Sequence, residues 1–300
     1  MQRCGTALCV AGQTWYLYGA SNLGGLDNPD AATKLAVSGR VNTLRIVNFL
    51  DEHGSPSAAP YDEARWQRVD RVIASARAQG LRVILDLSTY RNLLANAGLN
   101  PYAVDWKPLV AFVTGRRNTV TGLTYSADPT IAFVAFAGEV EPINTPANTL
   151  GVTTSQLTSF FARTFSEWKA LDANHLVSPG GLTQLDWNSG IDWRSIFGLA
   201  DNDLCSIHDY GTGDQTVTTP NVASYCASIG RPWLTEEFGW DQSVGDSQRA
   251  SLFDSMVALQ ARYGAAGVGF WNLGSQVGGS TFDVNPNTPL TWAVVLAHAP

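Results

Sequence analysis

Eight short apolar runs recur along the chain, at 15–20, 41–47, 82–87, 131–137, 175–178, 204–208, 232–236 and 267–271. They are continuous rather than alternating, as expected of parallel strands buried on both faces. Between them apolar residues return with helical spacing: Trp66, Val69, Ile73 and Ala76; Leu157, Phe160, Phe161 and Trp168; Leu252, Met256, Leu259 and Tyr263. Asp246 and Ser247 are placed to cap the last of these helices, and Gly80 to close the first. Strands alternating with helices over this length predict an α/β fold, a (β/α)8 TIM barrel. The competing open doubly wound sheet needs a glycine-rich phosphate turn after an early strand, and none follows one here. No linker, fixed-period repeat or low-complexity tract interrupts the pattern, so residues 1–300 read as one barrel domain.

Composition narrows the partners. Hydrophobic residues are 45% and charged residues 15% of the chain, which excludes a disordered or coiled-coil protein. The net charge is −7, with no basic cluster to follow a nucleic-acid backbone, and an acidic protein suits a neutral ligand. No apolar run reaches membrane-spanning length. Ten Trp, nine Tyr and twelve Phe are more than core filling usually takes, and the surplus suits flat platforms for sugar rings. Four cysteines allow three connectivities, and the short separations Cys4 to Cys9 and Cys205 to Cys226 favour local bridges over buried free thiols. Bridges imply an oxidising compartment. Met1-Gln2-Arg3 opens on no apolar h-region, so the chain reads as the mature form of a secreted protein with an added start Met. It is expected to be a monomer. Four histidines, none at ligand spacing, predict no catalytic metal, and neither a cofactor fingerprint nor a nucleophile elbow is present.

In such barrels the reacting groups stand at the carboxyl ends of strands. The fourth run ends in Ala137-Gly138-Glu139, the sixth in His208-Asp209-Tyr210, the seventh in Glu236-Glu237-Phe238-Gly239 and the eighth in Trp271-Asn272. Arg45 lies inside the second run, where a guanidinium is costly unless a carboxylate pairs with it. That partner is either a structural counter-ion or a strand-end glutamate kept ionised. Two carboxylates at the ends of opposite strands are what glycoside hydrolysis needs, one as acid and one as nucleophile.

These residues resemble glycoside hydrolase family 5, most closely its β-mannanases. The stretch 117–125 followed by Asp128-Pro129-Thr130-Ile131 is similar to the segment those enzymes carry before strand four, and Arg231-Pro232-Trp233-Leu234-Thr235-Glu236-Glu237-Phe238-Gly239 is similar to their strand seven. The resemblance runs from the first strand to the eighth. It implies Glu139 as acid/base, Glu237 as nucleophile, and Arg45, Gly138, His208, Tyr210 and Trp271 as substrate-binding positions. The implied activity is retaining cleavage of a β-linked polysaccharide, foremost endo-β-1,4-mannan hydrolysis. A β-glucanase, an exo-β-mannosidase or a non-catalytic carbohydrate-binding barrel are the alternatives. In the expected mechanism Arg45 holds Glu237 ionised, Tyr210 hydrogen-bonds it, and burial with a neighbouring charge raises the pKa of Glu139.

The chain departs from the family at Gly138, where an Asn clamps the sugar 2-hydroxyl, and at Val140, where a Pro follows. Asn22, Asn48 and Asn272 are candidate substitutes for the lost donor. Leu87-Ser88-Thr89-Tyr90 stands where a His is usual. Glu236 and Glu237 are expected on opposite sides of their strand, with only Glu237 facing the site. Glu141, followed by Pro142, is a second reading of the acid/base position. Trp187, Trp193 and Trp240 are candidates for outer sugar platforms.

Overall fold

The computed structural model describes residues 1–140, 152–183, 185, 191–211 and 215–300. Three strands open the chain, β1 (Gln2–Cys4), β2 (Ala7–Val10) and β3 (Gln13–Trp15), paired antiparallel in that order. Then come β4 (Leu17–Ser21), α1 (Pro29–Ser38), β5 (Thr43–Ile46), α2 (Glu63–Ala78), β6 (Arg82–Asp86), α3 (Ser88–Asn96), α4 (Lys107–Gly115) and β7 (Ile131–Ala135). The second half holds α5 (Thr154–Leu171), β8 (Leu176–Ser178), α6 (Trp193–Phe197), β9 (Cys205–His208), α7 (Gln215–Ser228), β10 (Trp233–Glu237), α8 (Asp246–Arg262), β11 (Gly267–Phe270) and α9 (Pro289–Ala297).

Each predicted run carries one strand of an eight-stranded parallel sheet, in the order β8-β7-β6-β5-β4-β11-β10-β9. The ends meet through Leu182, whose N–H donates to the Ser206 carbonyl at 3.0 Å and whose carbonyl accepts from His208 N–H at 3.1 Å. The barrel expected from the alternation of strand and helix is the one observed. The stripes of α2 and α5 are buried as read, and Gly80, at φ +73°, takes the left-handed turn that ends α2. The α8 stripe is one position out of register: Phe253, Met256 and Val257 are buried, while Leu252, Leu259 and Tyr263 are half-buried. Asp246 caps a different helix from the one expected. Its carboxylate accepts from Leu290 N–H at 2.8 Å and Thr291 N–H at 3.1 Å at the start of α9.

Strand alternation then sorts the barrel interior into layers. Leu17, Ile84, Phe133, Leu176, Leu204 and Leu234 form an apolar floor, closed from below by Leu8 of β2. Two residues further on, the same inward face presents Asp86, Ser178, Ser206 and Glu236, joined by Ser21 four residues beyond Leu17, all buried. The strands are apolar on both faces only at their lower ends; the upper interior is a sealed polar layer.

The local cysteine pairing holds, with bridges Cys4–Cys9 and Cys205–Cys226 and no free thiol. The second spans 21 residues and ties the first residue of β9 to α7, enclosing His208 and Tyr210. Replacing Cys205 and Cys226 together by Ser is expected to lower stability by about 3 kcal/mol through loop entropy, read as a fall in the urea midpoint.

Candidate active site

Arg45 is 4% exposed at the top of β5 and gathers carboxylates from two other strands. Its Nη2 donates to Asp86 Oδ2 and its Nη1 to Glu237 Oε2, with a second Nη1 contact to Ser21 Oγ at 3.1 Å. Its Nε lies 3.6 Å from Glu236 Oε2. Burial works against a charged guanidinium here, but Asp86, Glu237 and Glu236 together hold it charged.

The expectation that Glu236 and Glu237 lie on opposite sides of their strand does not hold. Glu236 follows Leu234 on the inward face by simple alternation. The register of β10 against β9 then shifts between Thr235 and Glu237, so that Glu237 pairs with His208. An extra residue at that point re-aims the next side chain, and both carboxyls reach Arg45. They differ in surroundings. Glu236 has no exposed side-chain surface, and burial pushes its carboxyl above the usual range. Glu237 opens toward the cleft and accepts at Oε1 from the Tyr210 hydroxyl. Burial and the Glu237 charge push the Tyr210 phenol far up, so it remains a donor.

Glu139 comes from the opposite side of the barrel. Gly138 at φ +27° and Glu139 at φ +44° turn the chain out of β7, a conformation rare for residues with a side chain and common at reacting sites. The Glu139 side chain is 45% exposed, and its Oε1 lies 2.9 Å from His208 Nδ1. The same Nδ1 is 3.6 Å from Glu237 Oε2. One donor atom from each of Glu139, His208 and Glu237 falls within 4.8 Å of the other two.

The protonation pattern corrects the expected raised pKa of Glu139. The hydrogen bond from His208 outweighs burial and lowers the Glu139 carboxyl to about 2. Burial disfavours a charged His208, yet Glu237 and Glu139 carry its imidazole above the ordinary range. Proton and carboxylate form a pair that is most favourable between pH 4.5 and 6.5, the ordinary values of the two groups. Its contribution is lost below that window as pH falls toward the Glu139 value, and above it as pH rises through the His208 value. The three donor atoms could also hold a divalent ion; with Arg45 already on Glu237, the site is arranged for a shared proton.

Gly138 leaves no room for the family's Asn. A Cβ there would lie 2.5 Å from the Gly180 carbonyl oxygen. Of the candidate substitutes, Asn22 donates to the Leu273 carbonyl at 2.8 Å, Asn272 is held by Leu23 N–H and Asp283, and Asn48 is exposed beyond β5. The side chain that meets Gly138 is Arg91 of α3, whose Nη1 donates to the carbonyls of Ala137 and Gly138. Trp271 is half-buried and lines a cavity of about 560 Å³ with Asn22, Leu23 and Phe282. Phe282 also meets Tyr210 edge-on at 6.1 Å, which joins the cavity to the carboxylates. Trp193, 4% exposed, is a core residue, and Trp240 packs half-buried on Phe253; neither is a free platform. Glu141 and Trp187 lie outside the described residues.

Asp86 and Arg91 were not singled out from sequence. Asp86 carried a usable signal, since it is an acid at the carboxyl end of the third run, as Glu236-Glu237 are at that of the seventh. Arg91 carried none, because its partners are backbone carbonyls 46 and 47 residues away.

A family model described as cellulase (glycosyl hydrolase family 5) matches residues 11–276. Mannan endo-1,4-beta-mannosidase 3 of Oryza sativa subsp. japonica is 28% identical over 304 residues, covering 81% of this chain and 64% of that protein. Mannan endo-1,4-beta-mannosidase A of Aspergillus aculeatus is 22% identical, covering 81% of this chain and 77% of the relative. The chain thus spans less than two thirds of the rice enzyme's length. The endo-1,4-beta-mannanase structure from Rhizomucor miehei superposes with a TM-score of 0.80 at 19% identity, over 99% of this chain and 98% of that one. At that identity the likeness is one of fold.

Replacing Arg45 by Met would leave Asp86, Glu236 and Glu237 uncompensated in the interior. The expected loss of stability is about 3–5 kcal/mol, measured by urea denaturation; an unchanged midpoint would show that the cluster is not held by charge.

Proposed function

Since this chain belongs to glycosyl hydrolase family 5, we propose that residues 1–300 work as one catalytic domain, a retaining glycoside hydrolase that cuts β-1,4-linked mannan within the chain. The observation that carries the reading is the approach of Glu139 and Glu237, whose carboxylate oxygens come within 4.8 Å. Retaining enzymes hold their carboxyls about 5–5.5 Å apart for direct attack, and inverting ones leave a wider gap for water. Mannan is favoured as substrate because the curated relatives named above are mannan endo-1,4-beta-mannosidases. The cavity beside Trp271 is suited to further sugar units of a polymer. The two disulfides support action outside the cell.

In this mechanism Glu237 attacks the anomeric carbon while Arg45 neutralises one of its oxygens and Tyr210 orients the other. The proton for the departing oxygen rests on His208 Nδ1 and passes through Glu139 Oε1. With the leaving group gone, the Glu139–His208 pair takes a proton from water, which opens the glycosyl ester and restores the β-configuration. Trp271, at the end of β11, offers a ring face to the sugar.

Purified protein should release reducing ends from mannan faster than from cellulose or mixed-linkage glucan, as a ladder of oligosaccharides. Glu237→Gln should abolish turnover, and Glu139→Ala should recover with azide; full activity in Glu237→Gln would end the assignment. The pH profile tests the proton pair. Its alkaline limb should report His208, above pH 6.5, so His208→Gln should move that limb toward acid. A limb that stays in place would mean that Glu139 holds its proton without His208.

A further inference from the structure

Glu236 takes no part in the reaction as drawn, yet it is among the most deeply buried acids of the barrel interior, 1% exposed. Its Oε1 accepts from Ser178 Oγ at 2.7 Å. The same Ser178 Oγ accepts from Gly180 N–H at 3.1 Å. Its Oε2 faces Arg45 Nε at 3.6 Å, and neither of those atoms has a hydrogen-bond partner among the described residues, so the contact is ionic.

The segment that Ser178 secures is the one on which Glu139 hangs. Ala137 and Gly138 N–H both donate to the Pro179 carbonyl at 3.0 Å, and Glu139 N–H donates to the Gly181 carbonyl at 2.7 Å. A Cβ on Gly180 would sit 2.8 Å from Gly138 N, and one on Gly181 would sit 2.1 Å from His208 Nε2. The backbones are in contact with no side chain between them. In a close-packed interior, a shift of 179–181 is therefore carried into Gly138, Glu139 and His208.

We propose that Glu236 is a positioning residue that spans the barrel, from Arg45 and the nucleophile strand on one side to the Ser178–Gly181 turn that holds the acid/base segment on the other. One carboxyl thereby sets the distance between the two reacting groups. This inference rests on the retaining mechanism above, with Glu139 as acid/base. Glu236→Gln keeps the shape of the side chain and an acceptor for Ser178 Oγ, and removes only the charge facing Arg45 Nε.

The test separates placement of the acid from general damage. Aryl glycosides of the oligosaccharide that the enzyme releases are compared, with dinitrophenol or phenol as leaving group; only phenol needs a proton as it departs. Ser178→Ala removes one hydroxyl from the link and leaves Arg45 untouched. Its kcat/KM on the phenyl glycoside should fall roughly ten- to a hundredfold, the cost of an ångström-scale misplacement, with a change of less than about twofold on the dinitrophenyl glycoside. Glu236→Ala should show the same split, and Glu236→Gln, which keeps an acceptor for Ser178, should restore most of the loss. Should Glu236→Ala fail to fold, the Ser178→Ala split and the Glu236→Gln profile carry the test. Equal losses on both substrates, or no loss in Ser178→Ala, would overturn the proposal. Glu139→Ala run alongside keeps the two claims apart: a leaving-group-dependent loss there, with Ser178→Ala unchanged, removes Glu236 from the mechanism and leaves the acid/base in place.

Discussion

The structure turns on a guanidinium placed where water cannot reach it. Arg45 stands in the barrel interior above an apolar floor, and a charge there is tolerated only with counter-ions and hydrogen bonds around it. Asp86 and Glu237 bond to it directly, Ser21 adds a neutral acceptor, and Glu236 approaches its remaining nitrogen. These groups come from β4, β5, β6 and β10, so satisfying one charge fixes the mutual placement of strands on both sides of the barrel. The nucleophile assigned by the proposed mechanism is thus one of Arg45's obligatory partners.

The opposite wall is set by contact rather than charge. Gly138, Gly180 and Gly181 let two chain segments and the His208 ring approach more closely than any side chain allows. A glycine at 138, where the resemblance leads to an Asn, is accordingly what the surrounding backbone requires. The strand end carrying Glu139 is drawn onto 179–181, its carbonyls are taken by Arg91, and a side chain at 138 has nowhere to go. In the proposed mechanism the contact to the sugar 2-hydroxyl therefore comes from elsewhere in the cleft.

Between the two walls lies a single proton relation. His208 is close enough to both Glu139 and Glu237 to respond to each, and its bond to Glu139 lowers that carboxyl instead of raising it. A general acid need not have a raised pKa of its own when a neighbouring imidazole holds the proton at hydrogen-bond distance. This arrangement depends on the exposure of Glu139 and the burial of His208, which differ sharply although the two side chains touch.

The sequence by itself determined the barrel, the eight strands and the positions at their ends, because run length, helical period and strand-end polarity are local properties that survive without knowledge of the partner strand. It also determined that Arg45 needs a carboxylate and that the cysteines bridge locally. Only the tertiary structure decided how many carboxylates share Arg45, that the strand β10 bulge brings Glu236 and Glu237 inward together, that Asp246 caps α9 instead of its own helix, and that His208 lowers Glu139. Each of these depends on register between strands or on contact between segments far apart in the chain. A one-residue shift in register changes which side chains meet, and no local pattern encodes it.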